Sequence, residues 1–167
     1  MEDFGKDDII DRLVAEWKTQ RPELDVDAMQ LVGRALSLGK RLEKRASVAL
    51  NNFEIHYTDL DVLATLRRSG APYSLSPKAL MASVLITSGA MTALLDRLTK
   101  LGLIIREPDP SDGRIKRATL STKGIALIDK AIEVRFEEAN ASVTGLSEEE
   151  QLQLSGLLKK WMASLDA

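Results

Sequence analysis

Chemistry in this sequence has to come from arginines, lysines and short hydroxyls, because the side chains that usually carry catalysis and metal binding are nearly absent. There is no cysteine and a single histidine, His56. That excludes thiolate nucleophiles, disulfides, thiol redox sensing and a His-rich metal site within one subunit. No zinc signature, phosphate-cradling glycine loop or acidic cluster at ligand spacing occurs, so the chain reads as a non-enzyme that needs no cofactor. Two groups remain. Thr87, Ser88, Gly89 and Thr92 gather hydroxyls and a bare backbone, with Arg97 five residues on. Arg114, Lys116 and Arg117 form a basic run directly after the turn-rich Pro108-Asp109-Pro110-Ser111-Asp112-Gly113. Hydroxyls and guanidinium groups in such patterns suit phosphate oxygens and base edges.

The elements that must position these groups follow from periodicity and punctuation. Ile10, Leu13, Val14 and Trp17 share one stripe of a helix over Asp7 to Gln20, which Pro22 stops. Leu31, Ala35, Leu38, Leu42 and Ala49 recur through a long basic helix from Asp27 to about Asn51. Thr58 is a plausible N-cap, with Asp61 near the positive end, for a helix running to Arg68. Ser76-Pro77 opens a short helix to about Ser83, and Thr87 or Ser88 opens the next, which stops at Gly102. Its apolar face is Leu94, Leu95 and Leu98; its outer face carries the hydroxyls, while Ala90 and Ala93 leave few base-reading groups. Leu103 to Arg106 and the stretch around Arg117 to Leu120 are short strands about the turn, so they form a β-hairpin. Lys116 and Arg117 point to opposite faces of their strand, so one faces outward and the other is structural. Ser121 starts a helix to about Ala141, and Ser147 with Glu150 is a capping box for a last helix ending near Leu165.

Three compact helices followed by a hairpin describe a winged helix-turn-helix, whose second helix enters the major groove of DNA. The expected class is mainly α with a small β-hairpin wing. Residues 53–121 make the DNA-binding lobe between N-terminal helices in 1–52 and C-terminal helices in 122–167, all in one integrated domain. Composition agrees: 167 residues, 44% of them hydrophobic, are enough for one real core. The net charge of −2 hides a partition, with fifteen basic against eight acidic side chains in residues 31–128 and acidic excess on both sides. DNA responds to that local field more than to the total. An arginine at a wing tip suits the narrow, negative minor groove. No run of about 18 apolar residues could span a bilayer and the acidic start is unlike a secretory signal, so a cytoplasmic location without membrane partner is expected.

Leu98-x-x-Leu101-Gly102-Leu103-Ile104-x-Arg106, then Asp109-Pro110-x-Asp112-x-Arg114, then Leu120-Ser121-x-x-Gly124, resembles the signature of the multiple-antibiotic-resistance (MarR) regulators. The resemblance covers essentially the whole chain. It implies a homodimer whose terminal helices interlock while two winged lobes read a pseudo-palindromic operator on double-stranded DNA, with repression by occlusion. By the same resemblance, residues 1–52 supply N-terminal dimerisation and linking helices and residues 122–167 C-terminal dimerisation helices. Trp17-x-x-x-Arg21-Pro22-x-Leu24-Asp25, followed by Asp61-Val-Leu-Ala-Thr-Leu-Arg67-Arg68, resembles the narrower urate-responsive and PecS-like group. That resemblance implies an effector site at Trp17, Asp61, Arg68 and Arg106 for urate or another planar aromatic anion. The types fit: indole offers a stacking face and arginine pairs with an oxyanion. Each residue also has a plain alternative: Trp17 as packing, Asp61 and Arg68 as complements to the helix dipole, Arg106 as a phosphate contact. Two other functions stay open, a winged-helix protein-interaction module without DNA binding and the same regulator with a phenolic effector. His56 is assigned no function.

Overall fold

The computed structural model describes residues 6–84, 88–109 and 112–165. In order, these form α1 (Ile9–Gln20), α2 (Ala28–Ala49), a 3₁₀ turn (Asn51–Phe53), α3 (Tyr57–Arg68), β1 (Ser74–Leu75), α4 (Pro77–Met81), α5 (Ser88–Lys100), β2 (Ile104–Pro108), β3 (Lys116–Leu120), α6 (Thr122–Ser142) and α7 (Glu148–Leu165). The mainly helical class with a small antiparallel sheet is as expected. Two compact units result, Met1–Arg45 and Ala46–Ala167, with the division falling inside α2.

In the first unit, Asp8 caps α1 by accepting from the amides of Ile10 and Asp11, and Asp11 returns a bond to the Asp8 amide. Arg34 of α2 then grips this capping box. It bonds Asp8 at 2.9 and 3.1 Å and Asp11 at 2.7 Å, which holds the Asp11 carboxyl below its ordinary pKa. Val14 and Val26 are buried, whereas Trp17, Leu31 and Leu36 remain exposed.

The second unit is built around α3, whose Leu60, Val62, Leu63 and Leu66 are buried together with Leu80, Met91, Leu95, Leu98, Leu103, Ile104 and Ile128. Its sheet has the order β1-β3-β2, so the hairpin gains a third strand that sequence did not reveal. Ser74 pairs with Thr119 and Leu75 with Ala118, and two residues are too short to display an alternating pattern. A Schellman turn ends α5: the Leu103 amide bonds the Leu98 carbonyl and the Gly102 amide that of Thr99, with Gly102 at φ 70°. At the start of α6, Gly124 lies so close to the Leu103 carbonyl that an added Cβ would sit 2.0 Å from its oxygen. The end of α5, the entry to β2 and the start of α6 thereby meet at one point. Ser76, Ser121 and Ser147 cap α4, α6 and α7 as their sequences imply.

The start of α3 differs from expectation. His56, not Thr58, occupies the N-cap, and its amide bonds Asp59 Oδ2 at 2.8 Å. Asp59, wholly buried, fills the acidic position assigned to Asp61. Among the described residues no helix is long and apolar enough to cross a membrane.

Candidate functional site

Positions along α5 separate as its periodicity requires. Met91, Leu94, Leu95 and Leu98 turn inward, and Gly89, Ala90, Thr92 and Ala93 lie on the exposed face. Ser88 is the first residue of α5. Thr87 lies outside the described residues. Arg97 belongs to neither face cleanly. Its guanidinium is half-buried and bonds Asp59 through Nε at 3.1 Å, while Nη2 reaches the Glu54 carbonyl at 3.5 Å.

On the wing, Asp112 holds Arg114 from two sides: its Oδ1 accepts from the Arg114 amide and Nε, each at 3.1 Å, and its Oδ2 accepts from Nη2 at 3.2 Å. These bonds lower the Asp112 pKa. The Arg114 side chain is nevertheless 91% exposed, so its charge is oriented without being hidden. Lys116 is exposed, and Arg117 is the structural member of the pair. It bonds Ser74 Oγ at 3.1 Å, the Ser74 carbonyl at 2.7 Å and Asp109 at 2.9 Å, tying β3 to β1 and to the entry of the wing.

The four residues of the implied effector site divide between the two units. Trp17, 54% exposed, lines a cavity of about 340 Å³ in the first unit with Ile10, Leu13, Leu24 and Met29. In the second unit Asp61 and Arg68 share a face of α3, and burial raises the Asp61 pKa against the opposing charges of Arg68 and Arg135. Arg68 Nη2 also reaches the Ser83 carbonyl beyond α4 at 3.4 Å. Arg106 on β2 bonds Asp96 of α5 at 2.8 Å, leaving its Nε buried without a partner among the described residues. Neither Arg135 nor Asp96 is singled out by the sequence, because Arg135 comes to act on Asp61, and Asp96 to bond Arg106, only through packing of separate elements. Asp59 did have a local signal: it stands three residues after His56, the spacing of a capping box.

The MarR family model matches residues 53–115, nearly the expected DNA-binding lobe. Over 146 residues the chain is 32% identical to the HTH-type transcriptional regulator PecS of Dickeya dadantii, covering 87% of this chain and 88% of that protein. The chain belongs to the MarR family. It is therefore a DNA-binding transcriptional regulator and not an enzyme. Solved MarR-family folds agree. A MarR mutant from E. coli complexed with operator DNA superimposes with a TM-score of 0.72 at 24% identity, over 81% of this chain and 96% of that one. An organohalide-sensing transcriptional regulator in its 2,4-dichlorophenol-bound form gives 0.76 at 21% identity, over 87% of this chain and 84% of that one.

Proposed function

We propose that this MarR-family chain is a cytoplasmic homodimeric repressor that binds a pseudo-palindromic operator and is released by urate or a related planar aromatic anion. The observation that carries the DNA part is the division of α5: apolar positions are buried, Gly89 and Thr92 are exposed, and an oriented Arg114 and an exposed Lys116 stand on the wing. Ser88 begins the same helix, and Thr87 precedes it in the sequence. Recognition helices of two subunits would meet half-sites about one helical turn apart, and the wing arginine would enter the flanking minor groove.

Exposed apolar faces support the homodimer. In α7, Leu152, Leu157, Met162 and Leu165 are exposed, and α7 encloses an apolar groove of about 560 Å³ with Val143 and Leu146 of the preceding turn. The helices of the first unit independently expose Leu31, Leu36 and Leu38. Apolar surface on this scale in one chain is consistent with burial against a second copy.

The effector part rests on the resemblance at Trp17, Asp61, Arg68 and Arg106, supported by three local features. Trp17 keeps an open indole face, Asp61 carries a desolvated carboxylate, and Arg68 reaches the backbone that follows α4. An anion that disturbs Asp61 and its coupling to Arg68 would shift the helix-turn-helix, and ligand and DNA would then oppose each other by linkage. Fluorescence anisotropy of the intergenic DNA beside the gene, with and without urate at fixed salt, tests both parts. Saturable binding that resists competitor and is reversed by urate supports the whole reading. Binding unmoved by urate discards that effector and moves the titration to phenolic acids. No specific binding to this duplex rejects that operator.

A further inference from the structure

We infer that Asp59 is a positioning residue for DNA recognition, fixing the register of the recognition helix through Arg97. The inference rests on the DNA-binding reading above and assigns roles that reading does not contain. Asp59 is wholly buried at the first turn of α3 and faces two donors, the His56 amide at 2.8 Å and Arg97 Nε at 3.1 Å. The same guanidinium reaches the Glu54 carbonyl, in the turn where Glu54 adopts a left-handed φ of 55°. One side chain of α5 is thus tied both to the start of α3 and to the turn before it.

Apolar packing alone does not supply this constraint. Met91, Leu94, Leu95 and Leu98 hold α5 against the core, but burial of apolar surface is non-directional and tolerates small rotations and slides. A hydrogen-bonded ion pair is directional and does not. Arg97 lies eight residues beyond Gly89, about 12 Å along the helix axis, so a small swing about Arg97 becomes a larger displacement at the end that meets the bases. Contact of Arg97 with a phosphate would also require it to leave a carboxylate that has no solvent access. Arg97 therefore acts on DNA through the placement of its helix, unlike Arg114, which is exposed on the wing.

The test uses the full-length protein with Asp59→Asn, Arg97→Gln, the double variant and Arg97→Lys. Affinities are measured across a salt series for the intergenic duplex and for a shuffled duplex of equal composition. A positioning role predicts that each single substitution weakens operator binding on the order of tenfold. Binding of the shuffled duplex and its salt slope stay unchanged for Arg97→Gln, the double variant is no worse than the poorer single one, and Arg97→Lys recovers part of the loss. If Arg97→Gln instead weakens both duplexes alike and lowers the salt slope by about one, Arg97 is a phosphate contact and the inference is overturned. Unchanged discrimination in all variants overturns it too. A wild-type chain that does not distinguish the duplexes rejects that operator, and the same comparison is then made on a duplex that the wild-type chain selects from a random-sequence pool. Should Arg97→Gln fail to fold with Asp59 left unpaired, the double variant, which removes both charges, decides the matter.

Discussion

Asp61 and Asp59 stand two residues apart, yet packing gives them opposite circumstances. Asp59 is buried with charge-assisted partners, whereas Asp61 is half-buried and raised in pKa by desolvation more than Arg68 and Arg135 lower it. A carboxyl raised in the folded state binds its proton more tightly there than when unfolded, so wild-type stability falls as pH rises from the ordinary carboxylate pKa through the raised one. Asp61→Asn removes that dependence. Thermal melting should find the variant more stable than wild type at pH 7, with the gap closing toward pH 3; a gap that does not vary with pH would refute the desolvated environment. Arg106 belongs to the same scale. Its unpartnered buried Nε and its bond to Asp96 describe a guanidinium with unused donor capacity. If it pairs with the effector, Arg106→Ala weakens urate binding by about tenfold or more in calorimetry, and an unchanged affinity removes it from the site.

Elements were legible where a local signal suffices. Ser76-Pro77, Ser121 and the Ser147–Glu150 box fixed three helix starts, because a cap is satisfied within four residues. The true start of α3 at His56 differs from the expected Thr58 because threonine is a favoured N-cap residue and histidine is not, although the three-residue spacing of Asp59 after His56 is local. β1 was missed because its pairing belongs to β3. Two predictions concern these elements. Gly124→Ala forces a Cβ against the Leu103 carbonyl, and urea denaturation should register a loss of roughly 1–3 kcal/mol; a neutral outcome would mean that the start of α6 yields freely. On the wing, Arg114→Gln keeps length but removes the charge that Asp112 orients, so operator affinity should drop roughly tenfold with the melting temperature unmoved. A fall in stability instead would make Arg114 a structural residue like Arg117.

For the whole molecule, the decisive feature is apolar surface that one chain leaves uncovered. Leu157, 65% exposed on α7, makes no contribution to the buried core of the second unit, so if the proposed homodimer covers this face, Leu157→Glu should shift sedimentation from dimer to monomer while helicity persists. An unaltered dimer would place the interface elsewhere. By itself, the sequence determined the order of the main helices and the hairpin, the winged helix-turn-helix and the family, because periodicity, caps and turn residues are local and their ordered combination is specific. It also determined that one of Lys116 and Arg117 must be structural. Only the tertiary structure decided which one, by bringing Ser74 to Arg117, and only it gave Arg97 to Asp59 and Arg106 to Asp96. The physical reason is common to all three. Hydrogen bonds from a guanidinium, to a neutral oxygen or a carboxylate, act through space at about 3 Å, so the partner of a long flexible cation is fixed by how distant elements pack and leaves no periodic trace along the chain.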